Sequence, residues 1–321
     1  MPFQGLRIID SHAHFPVSRP RPEEEGGGSP VAARRERHPL LAEYNRERMA
    51  RMRAAWNFPD PDPPAATDEE IRAYADAYVA DLDRWGVERI VFVTGGGDEE
   101  LARIVALHPD RFIGLSHVRI WEDGALERLR EGVEVHGLRG LKMFGPTLPV
   151  PFEDPKLRPI WQYLADHRLP VLCHFGWLGH GGGVVHHPRM SPLTIEPVAR
   201  EFLDMPVIVP HFGCGYMEDL MALCWSLPNV LVDTSGSNQW MDWMPYPMDV
   251  PTALRRFYDR IGPERIIFGT DSSWRPRGFV GQYLELQTRA AREMRIPEED
   301  LALIFAGNAA RIYRIGTESG A

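Results

Sequence analysis

Eight short runs rich in β-branched and other apolar residues recur along the chain, separated by longer stretches with helical periodicity. The runs cover residues 6–10, 89–94 (RIVFVT), 112–117 (FIGLSH), 138–144 (LRGLKMF), 169–175 (LPVLCHF), 207–211 (VIVPH), 230–233 (VLVD) and 265–271 (RIIFGTD). Strands that are apolar on both faces belong to parallel sheets covered on both sides. The stretches between them read as amphipathic helices. The clearest spans residues 68–85, with Thr67 as its N-cap and Gly86 as its terminating glycine. Eight strands, each followed by a helix, predict an α/β fold: a closed (β/α)8 TIM barrel. A chain of 321 residues is long enough to form one such barrel as a single domain spanning residues 1–321.

Two segments depart from the repeat and read as insertions after the first and fifth strands. Residues 15–66 are rich in proline and arginine, with a charged helix expected over residues 39–56. Residues 176–192 are rich in glycine and histidine and include His180, His186 and His187. A barrel enzyme places loops of this kind around its active site.

Polar residues stand at or near the ends of these apolar runs, and they carry the chemical signal. Asp10-Ser11-His12-Ala13-His14 closes the first run, and His174, His211 and Asp271 close the fifth, sixth and eighth. Lys142 lies near the end of the fourth. Residues i and i+2 of a strand share a face, so two imidazoles in a His-x-His pattern can converge on one ion. Alone, the pattern is better accounted for by two hydrogen-bonded loop histidines. Several such groups around one barrel mouth are costly to bury unless a metal or a hydrogen-bond network satisfies them.

Bulk properties narrow the partners. There are 36 basic and 45 acidic residues, a formal charge of −9, and no extended basic run. A nucleic-acid partner is therefore disfavoured. No apolar stretch approaches the ~18 residues of a membrane span, and the N-terminus does not read as a secretory signal. Three cysteines without CxxC spacing suit a reducing cytoplasm. The expected partner is a small-molecule substrate. Homo-oligomerisation is compatible with the general preference for symmetric assemblies.

In this order, DSHAHF, LCHFG, PHFG and FGTDS, closed by IFAGNAARIY at residues 304–313, resemble the amidohydrolase superfamily. The closest resemblance is to its amidohydrolase-2, aminocarboxymuconate-semialdehyde-decarboxylase-like branch. The resemblance implies a metal-dependent barrel enzyme in which His12, His14, His174 and Asp271 hold one divalent ion. His211 would then be the catalytic histidine beside the bound water, and Asp271 would share its duty. Three imidazoles and a carboxylate suit Zn²⁺, with Mn²⁺ or Fe²⁺ as alternatives. Asp10 would either orient a ligand or cap its turn.

Lys142 leaves a fork. Unmodified, it binds a substrate anion; carbamylated, as in some members of the superfamily, it bridges two metals; otherwise it reaches solvent from the rim. Trp177 and Trp274 are candidate walls for a flat substrate. Arg277, with Arg275, is a candidate clamp for an anionic group. Decarboxylases of the branch often carry Tyr/Phe-Pro after the Gly-Thr-Asp run. Here that run continues Ser272-Ser273-Trp274, which favours hydrolysis of a small anionic or cyclic amide, ester or lactone. Decarboxylation of an aromatic or enoic acid is the second reading, and a non-catalytic binding module the third.

Overall fold

The computed structural model describes residues 3–18, 39–177 and 188–316. His180, His186, His187 and the first half of the insertion after the first strand lie outside the described residues. Eight parallel strands alternate with helices: β1 (Ile9–His14), β2 (Arg89–Thr94), β3 (Phe112–Gly114), β4 (Leu141–Phe144), β5 (Val171–His174), β6 (Val207–Val209), β7 (Val230–Asp233) and β8 (Ile266–Ile267). Regular pairing links β1–β2–β3 and, separately, β4 through β8 in order. Two irregular seams join these sheets into a barrel. At the first, Ser116 bridges Leu141, with Ser116 N donating to Gly140 O and Lys142 N to Ser116 O. At the second, Ala13 bridges Ser272, with Ser11 N donating to Phe268 O, Asp271 N to His12 O and His14 N to Ser272 O. The (β/α)8 expectation is met.

The strands alternate as a double-covered sheet requires. Val91, Leu172, Ile208, Leu231 and Ile267 face the barrel axis. Their neighbours Ile90, Val171, Val207, Val232 and Ile266 face the surrounding helices. The first helix, α1 (Pro39–Trp56), belongs to the insertion, and α2 (Asp68–Trp85) is the crossover from β1 to β2. Helix α2 starts in a reciprocal capping box between Thr67 and Glu70 and stops at Gly86 in the left-handed region, φ 64°. The base of the insertion is pinned where Val17 bridges Ala65. The crossovers after β2 to β5 are α3 (Asp98–Leu107), α4 (Ala125–Glu134), α5 (Arg158–Asp166) and α6 (Glu196–Glu201). Those after β6 to β8 are α7 (Met217–Ser226), α8 (Val250–Ile261) and α9 (Gly281–Glu293). Two short helices, α10 (Glu298–Ala302) and α11 (Asn308–Ile312), end the described chain, and Ala309, Ile312 and Tyr313 pack into the barrel interior from below. Among the described residues no helix is long and apolar enough to cross a membrane.

The structure moves two expected boundaries. The first strand is not residues 6–10. Leu6 folds back on Phe3 through a turn with Gln4 and Gly5 at positive φ, and the ladder begins at Ile9. The Asp-Ser-His-Ala-His run is therefore the strand itself. The eighth strand keeps a regular ladder only at Ile266–Ile267, because the following residues pair with β1 across the irregular seam.

Asn308 is fully buried, and its amide donates to Pro263 O (2.7 Å) and Ile266 O (2.8 Å), tying the terminal helix to the start of β8. Asn308→Ala removes both of these hydrogen bonds, while Pro263 O keeps the Ile266 N–H, and is expected to cost roughly 2 kcal/mol. Denaturant unfolding checks this.

Candidate active site

The face on which the two β1 histidines lie is set by a break in alternation. Ile9 faces the barrel axis, whereas Ala13 faces the helices. Strict period-2 geometry would put both on one face. The β1–β2 register shifts between Asp10 and Ala13 and again between Ala13 and His14. This irregularity turns His12 and His14 inward. Asp10, fully buried, holds it in place by accepting from His12 N (3.1 Å), Thr270 N (3.0 Å) and the Thr270 hydroxyl. Burial raises the Asp10 carboxyl to about 7, against the lowering effect of those hydrogen bonds. Of the two roles open to Asp10 in the sequence, its contacts are those of a clamp on the β1–β8 seam.

His12 is buried, and its Nδ1 lies 2.6 Å from Asp233 Oδ2. Burial, then the nearby Lys142 charge, drives the His12 pKa well below its ordinary value, so the ring is neutral and donates from Nδ1. Its Nε2 is left buried with no hydrogen-bond partner. His14 Nδ1 lies 2.6 Å from Thr94 Oγ1, and its Nε2 lies 3.2 Å from Asp271 Oδ1. His211 donates from Nδ1 to Ser235 O (3.1 Å), with Ser235 Oγ at 2.9 Å. Ligand atoms of His12, His211 and Asp271 all lie within 4.8 Å of one another.

Two members of this cluster sit on unusual backbone: His211 at φ 59° and Asp271 at φ 59°. Side-chain-bearing residues seldom adopt this region, and where they do a site usually over-determines it. Burial raises the Asp271 carboxyl, but the His14 hydrogen bond and the His211 imidazole outweigh it and hold the pKa well below the carboxylate range. Gly269 is required by close approach, since a Cβ there would meet Asp233 Oδ1 at 2.9 Å and His12 Cβ at 3.0 Å.

His174 ends β5 on the interior face, its ring centroid 5.1 Å from that of His211, and its Nε2 donates to Trp177 O at 3.1 Å. Burial first, then His211 and Lys142, lower its pKa far below the ordinary value. Trp177 stacks edge-on against exposed Trp243, centroids 6.0 Å apart. Lys142 is paired in register with Leu172, so it projects into the barrel and does not reach solvent from the rim. Its Nζ lies 4.7 Å from the Phe144 ring centroid. Arg275 is committed to Asp81 at 2.6 Å and cannot join Arg277 in a clamp. Arg277 instead lies beside Trp274, 3.4 Å from its ring centroid.

The sequence reading missed Asp233 and Ser235. For Asp233 the signal was present, because it ends the seventh apolar run as Asp271 ends the eighth. Burial raises Asp233 to about 6, and the His211 charge and the Ser235 hydrogen bonds limit the rise.

Burial lowers Lys142 from 10.5 to about 8, and the neighbouring carboxylate of Asp271 offsets only part of this. A lysine pKa depressed on folding destabilises the native state. The cost is fully present below about pH 8 and is relieved as pH rises from 8 towards 10.5. In chelator-treated protein, Lys142→Met is therefore expected to raise stability at pH 7 by up to roughly 3 kcal/mol. The advantage should shrink above pH 8. Denaturant melts across pH check both the sign and the window.

Comparison with known proteins places the chain. The amidohydrolase family profile matches residues 9–315. Among curated proteins no significantly similar sequence is found. Similar solved structures include 5-carboxyvanillate decarboxylase from Sphingomonas paucimobilis (17% identity, TM-score 0.63, covering 97% of this chain and 99% of that one). Another is a probable 2-pyrone-4,6-dicarboxylic acid hydrolase from Acinetobacter baumannii (15%, 0.60, 96% and 100%). A third is a dihydroxybenzoic acid decarboxylase from Polaromonas with bound manganese and an inhibitor (15%, 0.61, 96% and 97%). At these identities the likeness establishes the barrel fold. With the profile matching nearly the whole length, the chain belongs to the amidohydrolase family and is an enzyme of that family.

Proposed function

We propose that this chain is a metal-dependent hydrolase of a small anionic or cyclic substrate, working with one divalent ion. The observation that carries metal dependence is the orphaned Nε2 of His12. Asp233 fixes the tautomer, so a lone pair faces a cluster containing a second imidazole and a carboxylate. A carboxylate–histidine pair of this kind orients metal ligands in general. The donor set of imidazoles and one carboxylate fits a borderline ion, with Zn²⁺ as the first choice and Mn²⁺, held by the Polaromonas decarboxylase, as the alternative.

His12, His14 and Asp271 would hold the ion from the β1–β8 side. On the opposite side His174 would complete the set, as the family resemblance implies, leaving His211 for proton transfer. When bound, the ion supplies Lewis acidity, activating water and polarising a substrate oxygen. His211, with Nδ1 engaged at Ser235, presents its other nitrogen to take a proton from attacking water and return it to the leaving group. Lys142 is buried and, among the described residues, has no hydrogen bond or ion pair, so its ammonium is open to a substrate anion or a developing oxyanion. Trp177 would wall a flat substrate on the β5 side. Three free cysteines fit a cytoplasmic setting.

Decarboxylation is the second reading. It is favoured by the names of two of the structural neighbours, each a decarboxylase of a hydroxylated aromatic acid.

Elemental analysis of protein purified without chelator is expected to give about one ion per chain, lost in His12→Ala. Two ions per chain would point instead to carbamylated Lys142. His174→Asn should lose the ion, whereas His211→Asn should keep it while kcat falls by ~10²–10⁴. The reverse pattern would exchange their roles. Carbon dioxide release from a carboxylate panel, with no turnover of lactones, esters or amides, would replace hydrolysis by decarboxylation.

A further inference from the structure

The loop after β8 carries two more donors that the fold leaves unsatisfied. Past Asp271 the chain places Trp274 and Arg277 against each other, with the guanidinium carbon 3.4 Å from the Trp274 ring centroid. Phe58, delivered by the insertion after β1, closes over both. It lies 5.1 Å from the guanidinium and edge-on to Trp274 at 6.1 Å. One terminal nitrogen of Arg277 donates to Asp271 O and Ser273 Oγ, both at 2.9 Å. Its Nε, and the Nε1 of Trp274, are buried without any hydrogen-bond partner.

Two orphaned N–H groups on a stacked pair of side chains are a costly arrangement in a stable fold. The charge makes it more so. Among the described residues no carboxylate lies within ion-pair distance of Arg277. The other arginine of the same turn, Arg275, is paired with Asp81. Stacking on Trp274 and Phe58 offsets part of the cost, but a ring face offers nothing to N–H groups that point along the guanidinium and indole planes. Burial accordingly lowers the Arg277 pKa. What the pair lacks is an anion with two acceptor oxygens.

We propose that Trp274 and Arg277 form a subsite for a substrate carboxylate, with Trp274 Nε1–H and Arg277 Nε–H as its donors. This rests on the reading of the barrel mouth as a small-molecule catalytic centre. It adds that the substrate is a carboxylic acid and says where that acid group is held. A carboxylate satisfies both donors and neutralises the guanidinium, whereas a neutral amide does neither fully. Because Arg277 also grips the Asp271 carbonyl, the carboxylate is set at a fixed offset from the His12–His211–Asp271 cluster. Phe58 makes the insertion part of the substrate wall.

The test uses chelator-treated protein, so that a carboxylate–metal contact cannot contribute, and calorimetric titration with benzoate and with benzamide. Benzoate is expected to bind at least tenfold tighter than benzamide. Trp274→Phe keeps the ring and removes only the N–H, and should weaken benzoate about tenfold. Arg277→Lys should weaken it at least as much. Neither substitution should alter benzamide binding. Equal affinity for the two probes, or benzoate binding unchanged in both folded variants, overturns the subsite. A loss seen only in Lys142→Met overturns it too, by placing the carboxylate on that lysine. If Arg277→Lys fails to melt cooperatively, Trp274→Phe decides alone. Metal analysis of untreated protein tests the catalytic reading separately. Metal-free protein whose benzoate binding still depends on Trp274 would retain the subsite and sink the metal enzyme; metal-loaded protein without that dependence would do the reverse.

Discussion

Strand β1 enters the barrel with Ile9 facing the axis and leaves it with His12 and His14 facing the same way, an odd number of residues later. A pleated strand cannot do this without a break, and the break lies at the two register shifts between Asp10 and His14. The Asp10 carboxylate holds it by bonding to β1's own backbone and to Thr270 across the seam. From that clamp follow the inward imidazoles, the pairing of His12 with Asp233, and the closure of the barrel through Asp271 N and His14 N. If Asp10 did not hold the seam, both the barrel closure and the site would lose their common anchor.

Much of this was legible in the sequence, for a physical reason. Strands buried on both faces must be apolar throughout, so the eight runs stand out, and a polar residue at the end of such a run is conspicuous. The cap at Thr67 and the stop at Gly86 are local chemistry and were readable as such. What was hidden depends on groups distant in the chain. The start of β1 was misplaced because Leu6 is as apolar as a strand residue, and only its turn back onto Phe3 removes it from the ladder. Arg275 and Arg277 are indistinguishable by type, and it takes Asp81, on α2, to consume one and leave the other. Asp233 was visible but unassigned, since its partner His12 lies on the far side of the sequence.

The barrel interior has a divided character. Its lower part is filled by Leu172, Ile208, Leu231 and Ile267, sealed from beneath by Tyr313. Lys142 shares the register of Leu172, so a cation occupies a position that packing alone would give to an aliphatic side chain. The neutral states of His12 and His174 and the rise of Asp233 stem first from the same desolvation, with the lysine charge adding to the two histidine shifts and opposing the rise of Asp233. Such an arrangement lowers the stability of the fold while concentrating electrostatic influence on the few groups at the mouth.

The β1–β8 seam and the terminal helix beneath the barrel have a consequence for how the molecule comes into being. The first strand cannot close its outer edge until Phe268 to Ser272 exist, and the interior has no floor until Tyr313 is in place. During synthesis on a ribosome, β1 is made first and must wait for nearly the whole chain before it finds its second neighbour. Contacts of such long sequence separation form slowly, and an unpaired strand edge is exposed to off-pathway association meanwhile. His12 and Asp271 therefore cannot come together before the eighth strand has been made, and a nascent chain that stops short of Asp271 has the strand that carries the histidines but not the carboxylate beside them.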